Sequence, residues 1–381
     1  MKKHSKIRLA FLIPSLQTGG AELQLLSLVK GLDPDRFRIT VITLYSGYEL
    51  EPFFETLKGV QLVRLNKRHA FDFSAFIRLI QVLRQGRFSL LQCYNVSARL
   101  WGVCAAQCAG VSRVITMERT ARLIYSTPGS RFYLFAERYA LRKSDLVIAN
   151  SQAGKDFALS RGARAPNVRV VYNGLDSERL EIIRGRHETR ALASIPAEAF
   201  CLTWVGRLET VKDPFTFIKA LHLLNNQMNR TVFAFMLGSG SLKSECEKLA
   251  RSLDVENRIV FTGNRKDVAD FYHAADLVVL SSSQVEGCSN TILEAMSLGI
   301  PVAATRVGGN SELIQHARTG YLFNPQDAEE LAVLITKMMD DPDLLKISRA
   351  AQDMVRKKFG RTEMTSAYVT AYNQLLNRTG G

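Results

Sequence analysis

Asp276-Leu-Val-Val-Leu-Ser-Ser-Ser-Gln-Val-Glu-Gly-Cys-Ser-Asn-Thr-Ile-Leu-Glu294 is the stretch that decides how this chain folds. Residues 276–280 form an apolar, β-branched run that reads as a buried strand. Residues 291–297 read as the start of an apolar helix, so the whole is one strand-loop-helix step. Two carboxylates, Glu286 and Glu294, lie eight residues apart around it, one in the loop and one in the first helical turn. The first N–H groups of a helix lack intrahelical partners and form a natural seat for phosphate. Carboxylates beside such a seat suit a ligand that also carries sugar hydroxyls, whose hydrogen bonds they accept. A purely structural reading stands next to this one: Thr291-Ile-Leu-Glu294 is a capping-box pattern, with Glu294 closing its own helix.

The same step recurs in both directions from this stretch. Residues 7–13, 39–44, 90–93, 114–117 and 146–150 read as strands, with helices over 21–32, 73–84 and 131–142. The pattern restarts with strands at 200–205, 232–237, 259–261, 277–280 and 302–304, separated by helices at 214–224, 242–253, 268–274 and 291–297. Alternation of this kind predicts right-handed βαβ units and parallel sheets, and two successive series predict two doubly wound domains. Asn173-Gly174 marks the turn between them, giving domains over 1–174 and 175–363, with a last helix in the terminal stretch 364–381.

Bulk composition agrees with a folded two-domain protein: 381 residues, 46% hydrophobic and 23% charged. No apolar run approaches the roughly 20 residues that a membrane span needs. The basic-then-apolar start, Lys2 to Pro14, looks like a signal peptide, but its apolar core is short and no small-residue cleavage site follows; a buried first strand is expected. Six cysteines (93, 104, 108, 201, 246, 288) show neither a paired framework nor metal spacing. Cys104 and Cys108 are expected on one helix face as small core residues, in a reducing cytoplasm. The net charge of +14 falls entirely in the first half, where residues 1–180 hold 27 Lys and Arg against 13 Asp and Glu. Such a half suits an anionic partner such as a membrane surface, a lipid phosphate or a polyanionic glycan; the plain alternative is a solvated basic surface. Nucleic acid is not expected, because no zinc finger or RNP-like run is present.

In open parallel sheets ligands bind beyond the carboxyl ends of the strands, so loops just after strands carry the chemistry. Gly19-Gly20 follows the first strand. Gly206-Arg207 and Lys212 follow the strand at 200–205, and their two cations can converge on one diphosphate, or instead pair with Glu209 or Asp213. Gly238-Ser-Gly240 and Gly308-Gly309 are further glycine turns.

Taken in order, Gly19-Gly20, Asn173-Gly174-Leu-Asp176, Gly206-Arg207 with Lys212, Gly238-Ser-Gly240, Glu286 with Glu294, and the run from Glu294 to Pro301 resemble retaining glycosyltransferases of the GT-B fold, family 4 type. The resemblance covers essentially the whole chain. It implies an α/β fold of two doubly wound Rossmann-like domains facing an interdomain cleft, with the last helix crossing back to the first domain. It implies catalytic roles for Arg207, Lys212 and Glu286: the two cations hold the donor diphosphate and steady the leaving group, and Glu286 contacts the donor sugar. Glu294 is implied as the ribose acid. Gly238, Gly287, Ser289, Asn290 and Thr291 belong to the donor-binding set, with a phosphate on the amides around 289–291. Arg265 is implied beside the nucleobase, and Gly19 and Gly20 at the donor–acceptor junction. Where many members carry His, this chain has Met117-Glu118-Arg119-Thr120; Glu118 then takes the hydroxyl-contacting place and Arg119 meets an anionic acceptor, or the two form a surface pair. Cys288 stands where other members often have an aromatic.

The implied reaction moves a sugar from a nucleotide-diphosphate sugar to a glycan or lipid-linked acceptor, in cell-surface polysaccharide, lipopolysaccharide or glycolipid synthesis. No cofactor is implied, with basic residues in place of a metal. A cytoplasmic site is expected, peripheral on the inner face of the membrane, with Lys67-Arg68-His69, Arg78 and Arg84 near anionic headgroups. A non-catalytic binding module would lack the diphosphate ligands, which are present here. A dinucleotide oxidoreductase would need GxGxxG after a first-domain strand, and the first strand leads to Thr18-Gly19-Gly20-Ala21. A sugar-phosphate synthase or phosphorylase on the same fold differs only in its acceptor.

Overall fold

Strands that are apolar on both faces can be satisfied only between two layers of helices, and that is where both sheets lie. The computed structural model describes residues 6–69, 72–119, 130–227, 231–284 and 286–377. Residues 2–5 of the basic start and Thr120 of the 117–120 motif lie outside the described residues. The chain forms two compact units, Met1–Gly174 with Arg361–Gly381, and Leu175–Gly360. The second crossing falls between Gly360 and Arg361, a little before the boundary expected from sequence.

The first unit runs β1 Ile7–Ile13, α1 Gly20–Gly31, β2 Phe37–Thr43, α2 Glu51–Glu55, β3 Val60–Arg64, α3 Phe73–Gly86, β4 Leu90–Cys93, α4 Asn95–Ala109, β5 Val114–Glu118, α5 Ser130–Lys143, β6 Leu146–Ala149, α6 Gln152–Ser160 and β7 Val168–Val170. Its seven strands are parallel in the order β3-β2-β1-β4-β5-β6-β7. Alternate residues of β1 serve opposite cores. Leu9, Phe11 and Ile13 pack with Leu25 and Leu28 of α1. Ala10 and Leu12 pack with Leu79 and Leu83 of α3 and Val103 of α4. On α4, Cys104 is half-buried and Cys108 exposed, so Cys108 is not the core residue expected of it: the buried stripe runs through Ala98, Gly102, Val103 and Ala106.

The second unit runs α7 Arg186–Leu192, β8 Phe200–Val205, α8 Pro214–Gln227, β9 Val232–Leu237, α9 Lys243–Ser252, β10 Ile259–Gly263, α10 Val268–Ala274, β11 Leu277–Leu280, α11 Asn290–Ser297, β12 Val302–Thr305, α12 Asn310–Leu313, β13 Tyr321–Phe323, α13 Ala328–Met339 and α14 Leu344–Lys358. Six parallel strands are ordered β10-β9-β8-β11-β12-β13. Trp204 and Met236 pack against Phe217 and Leu221 of α8 and Ile335 of α13. Truncating a side chain as buried as Trp204 costs about 3–5 kcal/mol.

α15, Arg361–Leu376, returns to the first unit and buries Met364, Tyr368, Ala371, Tyr372 and Leu375 there. Those positions recur every three or four residues, one stripe of a helix. Tyr372 OH donates to Gln92 Oε1 at 2.7 Å, and Gln92 Nε2 donates to Tyr94 OH at 2.9 Å. The first crossing is also pinned: the Gln24 side-chain amide of α1 exchanges two hydrogen bonds of 2.9 Å with the Gly174 backbone. In each sheet the strand order reverses once, between β1 and β4 and between β8 and β11. Loops diverge from a reversal point and open a crevice at the carboxyl ends.

Candidate functional site

In the second unit β8 runs into Gly206-Arg207 and a single 3-10 turn, Thr210–Lys212. Ser281, just past β11, ties this loop down: its hydroxyl accepts from Trp204 Nε1 at 2.9 Å and donates to Asp213 O at 2.7 Å. The Ser283 amide donates to Val211 O at 3.1 Å. These ties bring Lys212 against Glu286 where β8 and β11 adjoin. The Lys212 ammonium pairs with Glu286 Oε1, and the Ser282 hydroxyl donates to the same oxygen. Glu286 is 6% exposed. Neither of the alternative partners of Lys212 is available. Glu209 accepts from the Ser241 amide and hydroxyl at 2.9 and 2.8 Å, and Asp213 caps α8 through the Thr216 amide and hydroxyl at 3.2 and 2.6 Å. Arg207 is exposed and, among the described residues, has no ion pair.

Two glycines are required by this packing. Gly238 has φ +131°, and a Cβ there would run into the Gly206 carbonyl, so the loops after β8 and β9 lie back to back. Gly308 has φ +49°, and a Cβ there would run into the Glu286 backbone. The Gly309 amide donates to Glu286 O at 3.0 Å. The 308–309 turn therefore holds the Glu286 loop from behind, a role its sequence did not announce.

Helix α11 begins with Ser289 as its N-cap, whose hydroxyl accepts from the Ile292 amide at 3.5 Å. Gly287, Cys288 and Ser289 are buried, while Asn290 and Thr291 are half-buried at the helix start. The capping-box reading is overturned. The cap lies two residues before Thr291, which leaves Glu294 too far along the helix to close it. Glu294 Oε2 instead accepts from Tyr272 OH of α10 at 3.0 Å, and Oε1 lies 3.8 Å from Arg179 Nη1. Burial pushes the Glu294 carboxyl above its ordinary value, with Arg179 and Tyr272 opposing. Arg265 spends its fork on Asp267, at 2.8 and 2.6 Å, and lies over the Phe271 ring at 5.3 Å. Ser282, Tyr272 and Arg179 had not been singled out. Only Ser282 has a local signal, its place in the loop that follows β11.

In the first unit Gly19 is the N-cap of α1 and Gly20 its first residue. Arg119 Nη2 donates to Asn173 Oδ1 at 3.1 Å and lies 3.4 Å from Gly20 O, so three separate motifs meet. Glu118 does not join them. β5 extends one residue further than expected, through Glu118, and strand alternation turns that side chain inward. It is 2% exposed and accepts from Arg99 Nη2 at 2.9 Å. Arg99 also pairs with Glu137 at 3.1 Å, which pairs in turn with Arg161 at 2.6 Å. The surface pair with Arg119 is corrected by this: Glu118 is a member of a buried ion network.

Among the described residues no group of three His, Cys, Asp or Glu is placed to hold a metal ion, and no helix is long and apolar enough to cross a membrane.

Two family models match the chain in tandem: Glycosyltransferase Family 4 over residues 18–179 and Glycosyl transferases group 1 over residues 186–355. The UDP-Gal:alpha-D-GlcNAc-diphosphoundecaprenol alpha-1,3-galactosyltransferase of Escherichia coli is 24% identical over 376 residues, covering 93% of this chain and 94% of its own. D-inositol 3-phosphate glycosyltransferase 1 of Catenulispora acidiphila is 26% identical over 385 residues, covering 94% and 91%. The crystal structure of Anabaena HepE in complex with UDP and glucose superposes with a TM-score of 0.85 at 24% identity, covering 97% of this chain and 100% of that one.

Proposed function

The chain belongs to the GT-B glycosyltransferases of the family 4 type, and on that footing we propose that it moves a hexose from a nucleotide-diphosphate sugar to a glycan or lipid-linked acceptor, with retention at the anomeric carbon. The observation that carries the reading is the Lys212–Glu286 pair at the carboxyl ends of β8 and β11, beside Arg207, which has no ion pair among the described residues. As the glycosidic bond breaks, the nucleotide diphosphate leaves with added negative charge. Arg207 and Lys212 meet that charge, and the α11 amides add their dipoles, so stabilisation is electrostatic. Lys212 exchanges Glu286 for phosphate when donor binds, and Glu286 Oε1 is then free to accept from a sugar hydroxyl. The leaving phosphate takes the acceptor's proton on the front face, which needs no protein nucleophile. Glu286 thus positions the donor, and Glu294 holds the ribose. The cations take the place of a metal.

The test is nucleotide release from UDP-, GDP- and ADP-hexoses, with and without chelator. Release and thermal stabilisation by at least one donor are expected, unaffected by chelator. No response to any donor sinks the enzyme reading; loss in chelator, restored by a divalent cation, sinks the metal-free part.

The first unit attaches to an anionic membrane face, which presents the acceptor. Phe73 is 76% and Ile77 54% exposed, one turn apart on α3, beside exposed Arg68. The other cations named for this role are partly committed. Lys67 lies over Trp101 at 4.1 Å, Arg78 donates to Leu65 O at 2.7 Å, and Arg84 donates to Cys108 O at 2.8 Å. Binding to phosphatidylglycerol vesicles should fall steeply with salt. Salt-independent retention, or none at low salt, counts against it.

A further inference from the structure

The opposite end of the first sheet carries a second feature, remote in the fold from the carboxyl ends of the strands. Arg8 of β1 and Arg38 of β2 are register partners on adjacent parallel strands. Neighbouring strands lie about 4.8 Å apart, so the two side chains stand together on one face, and like charges so placed repel. Their face is the one covered by α3, since Ala10 and Leu12, two and four residues on from Arg8, pack into the core that includes Leu79 and Leu83. But α3 ends at Gly86, and beyond it a cavity of about 360 Å³ opens over the strand ends. Arg8, Arg38, Thr40, Gln61 and Gln85 supply its polar lining, and no carboxylate is among the lining side chains.

The hydrogen-bonding capacity there is largely unspent. Arg8 gives one bond, from Nη1 to Gly86 O at 3.2 Å. Among the described residues Arg38 has no hydrogen-bond or ion-pair partner. Thr40 is 5% exposed, lines the cavity, and has no partner for its hydroxyl among the described residues. Two guanidinium groups and a hydroxyl lining one concavity, with no carboxylate among its lining side chains, form a receptor for a phosphate group, which can accept from both. We propose that this cavity binds a phosphate-bearing ligand at a site separate from the donor site. The same chemistry is offered by a soluble phosphorylated molecule and by a lipid headgroup.

Inorganic phosphate is titrated in low-salt buffer into wild type, Arg38→Gln and Arg8→Gln, and Tm is read. A double variant, Arg207→Ala with Lys212→Ala, controls for phosphate bound in the second unit. Phosphate is expected to raise the Tm of wild type and of the double variant, and the rise is lost in both cavity variants. Without phosphate, Arg38→Gln should melt at or above wild type, because the like-charge repulsion is gone. Absence of a response in wild type, or an unchanged response in the two cavity variants, overturns the proposal. Co-sedimentation with phosphatidylcholine vesicles, with and without phosphatidylglycerol, separates the sources. Cavity variants that lose both the phosphate response and retention on anionic vesicles assign a headgroup; loss of the phosphate response alone assigns a soluble ligand.

Discussion

A carboxyl raised by burial makes stability depend on pH, and Glu294 is such a group. Between the ordinary carboxylate value and the raised folded value, the native chain holds this proton more firmly than the unfolded chain does. Its contribution is therefore present below the ordinary value and is lost as pH rises through the folded one. Glu294→Gln, which cannot ionise, should flatten that loss: the fall in Tm as pH rises above the ordinary carboxylate range is smaller than in wild type. Donor KM should rise in the same variant. An equal pH slope in both proteins refutes the assignment. For Lys212→Ala and Glu286→Ala, kcat/KM should drop by about 10²–10³-fold, the scale of losing one preorganised charge contact; wild-type turnover in either sinks the site. Lys212 and Glu286 were legible because each lies in a loop that follows a strand, where an open α/β sheet places its ligand contacts. Glu118 was misread because its partner, Arg99, lies on α4 and meets it only after the sheet forms. The contacts of Glu294 with Arg179 and Tyr272 were hidden for the same reason.

Central strands announced themselves, and three of the four edge strands did not. β3, β7 and β13, which the apolar pattern passed over, are all edge strands. β3, Val-Gln-Leu-Val-Arg, interrupts its apolar residues with Gln61 and Arg64, and β7 and β13 are only three residues long. Glycine turns were visible as turns, but their load was not. Gly308→Ala forces a side chain into the left-handed region and against the Glu286 backbone, and should cost about 1–3 kcal/mol. Transfer should fall with it, because the Glu286 loop must shift. Full activity with unchanged Tm means that the turn bears no such load. Gly110→Ala is the matched control: its φ is +74°, but nothing lies within 4 Å of the added Cβ, so strain alone remains.

The whole molecule was legible as two domains because its strand-helix pattern restarts after Asn173-Gly174, and the asymmetry of charge was visible in the composition. The units differ in a way that can be tested. Leu175–Gly360 is continuous in sequence, whereas the first unit needs α15 from the far end of the chain. A fragment spanning 175–360 should fold alone with a cooperative thermal transition and be stabilised by nucleotide sugars. A fragment spanning 1–174 should not, because Phe11, Phe37 and Tyr94 lose the cover of Tyr368 and Tyr372. A cooperative 1–174 fragment, or a molten 175–360 fragment, contradicts this division.

The return of α15 also sets a timetable. A ribosome adds about 5–20 residues per second, so the strands of the first unit wait about 10–40 seconds while the second is made. Throughout that interval the apolar face beneath α15 has no partner from its own chain. Because α15 follows the second unit in the chain, a truncation before Arg361 leaves a complete second unit joined to a first unit that cannot close.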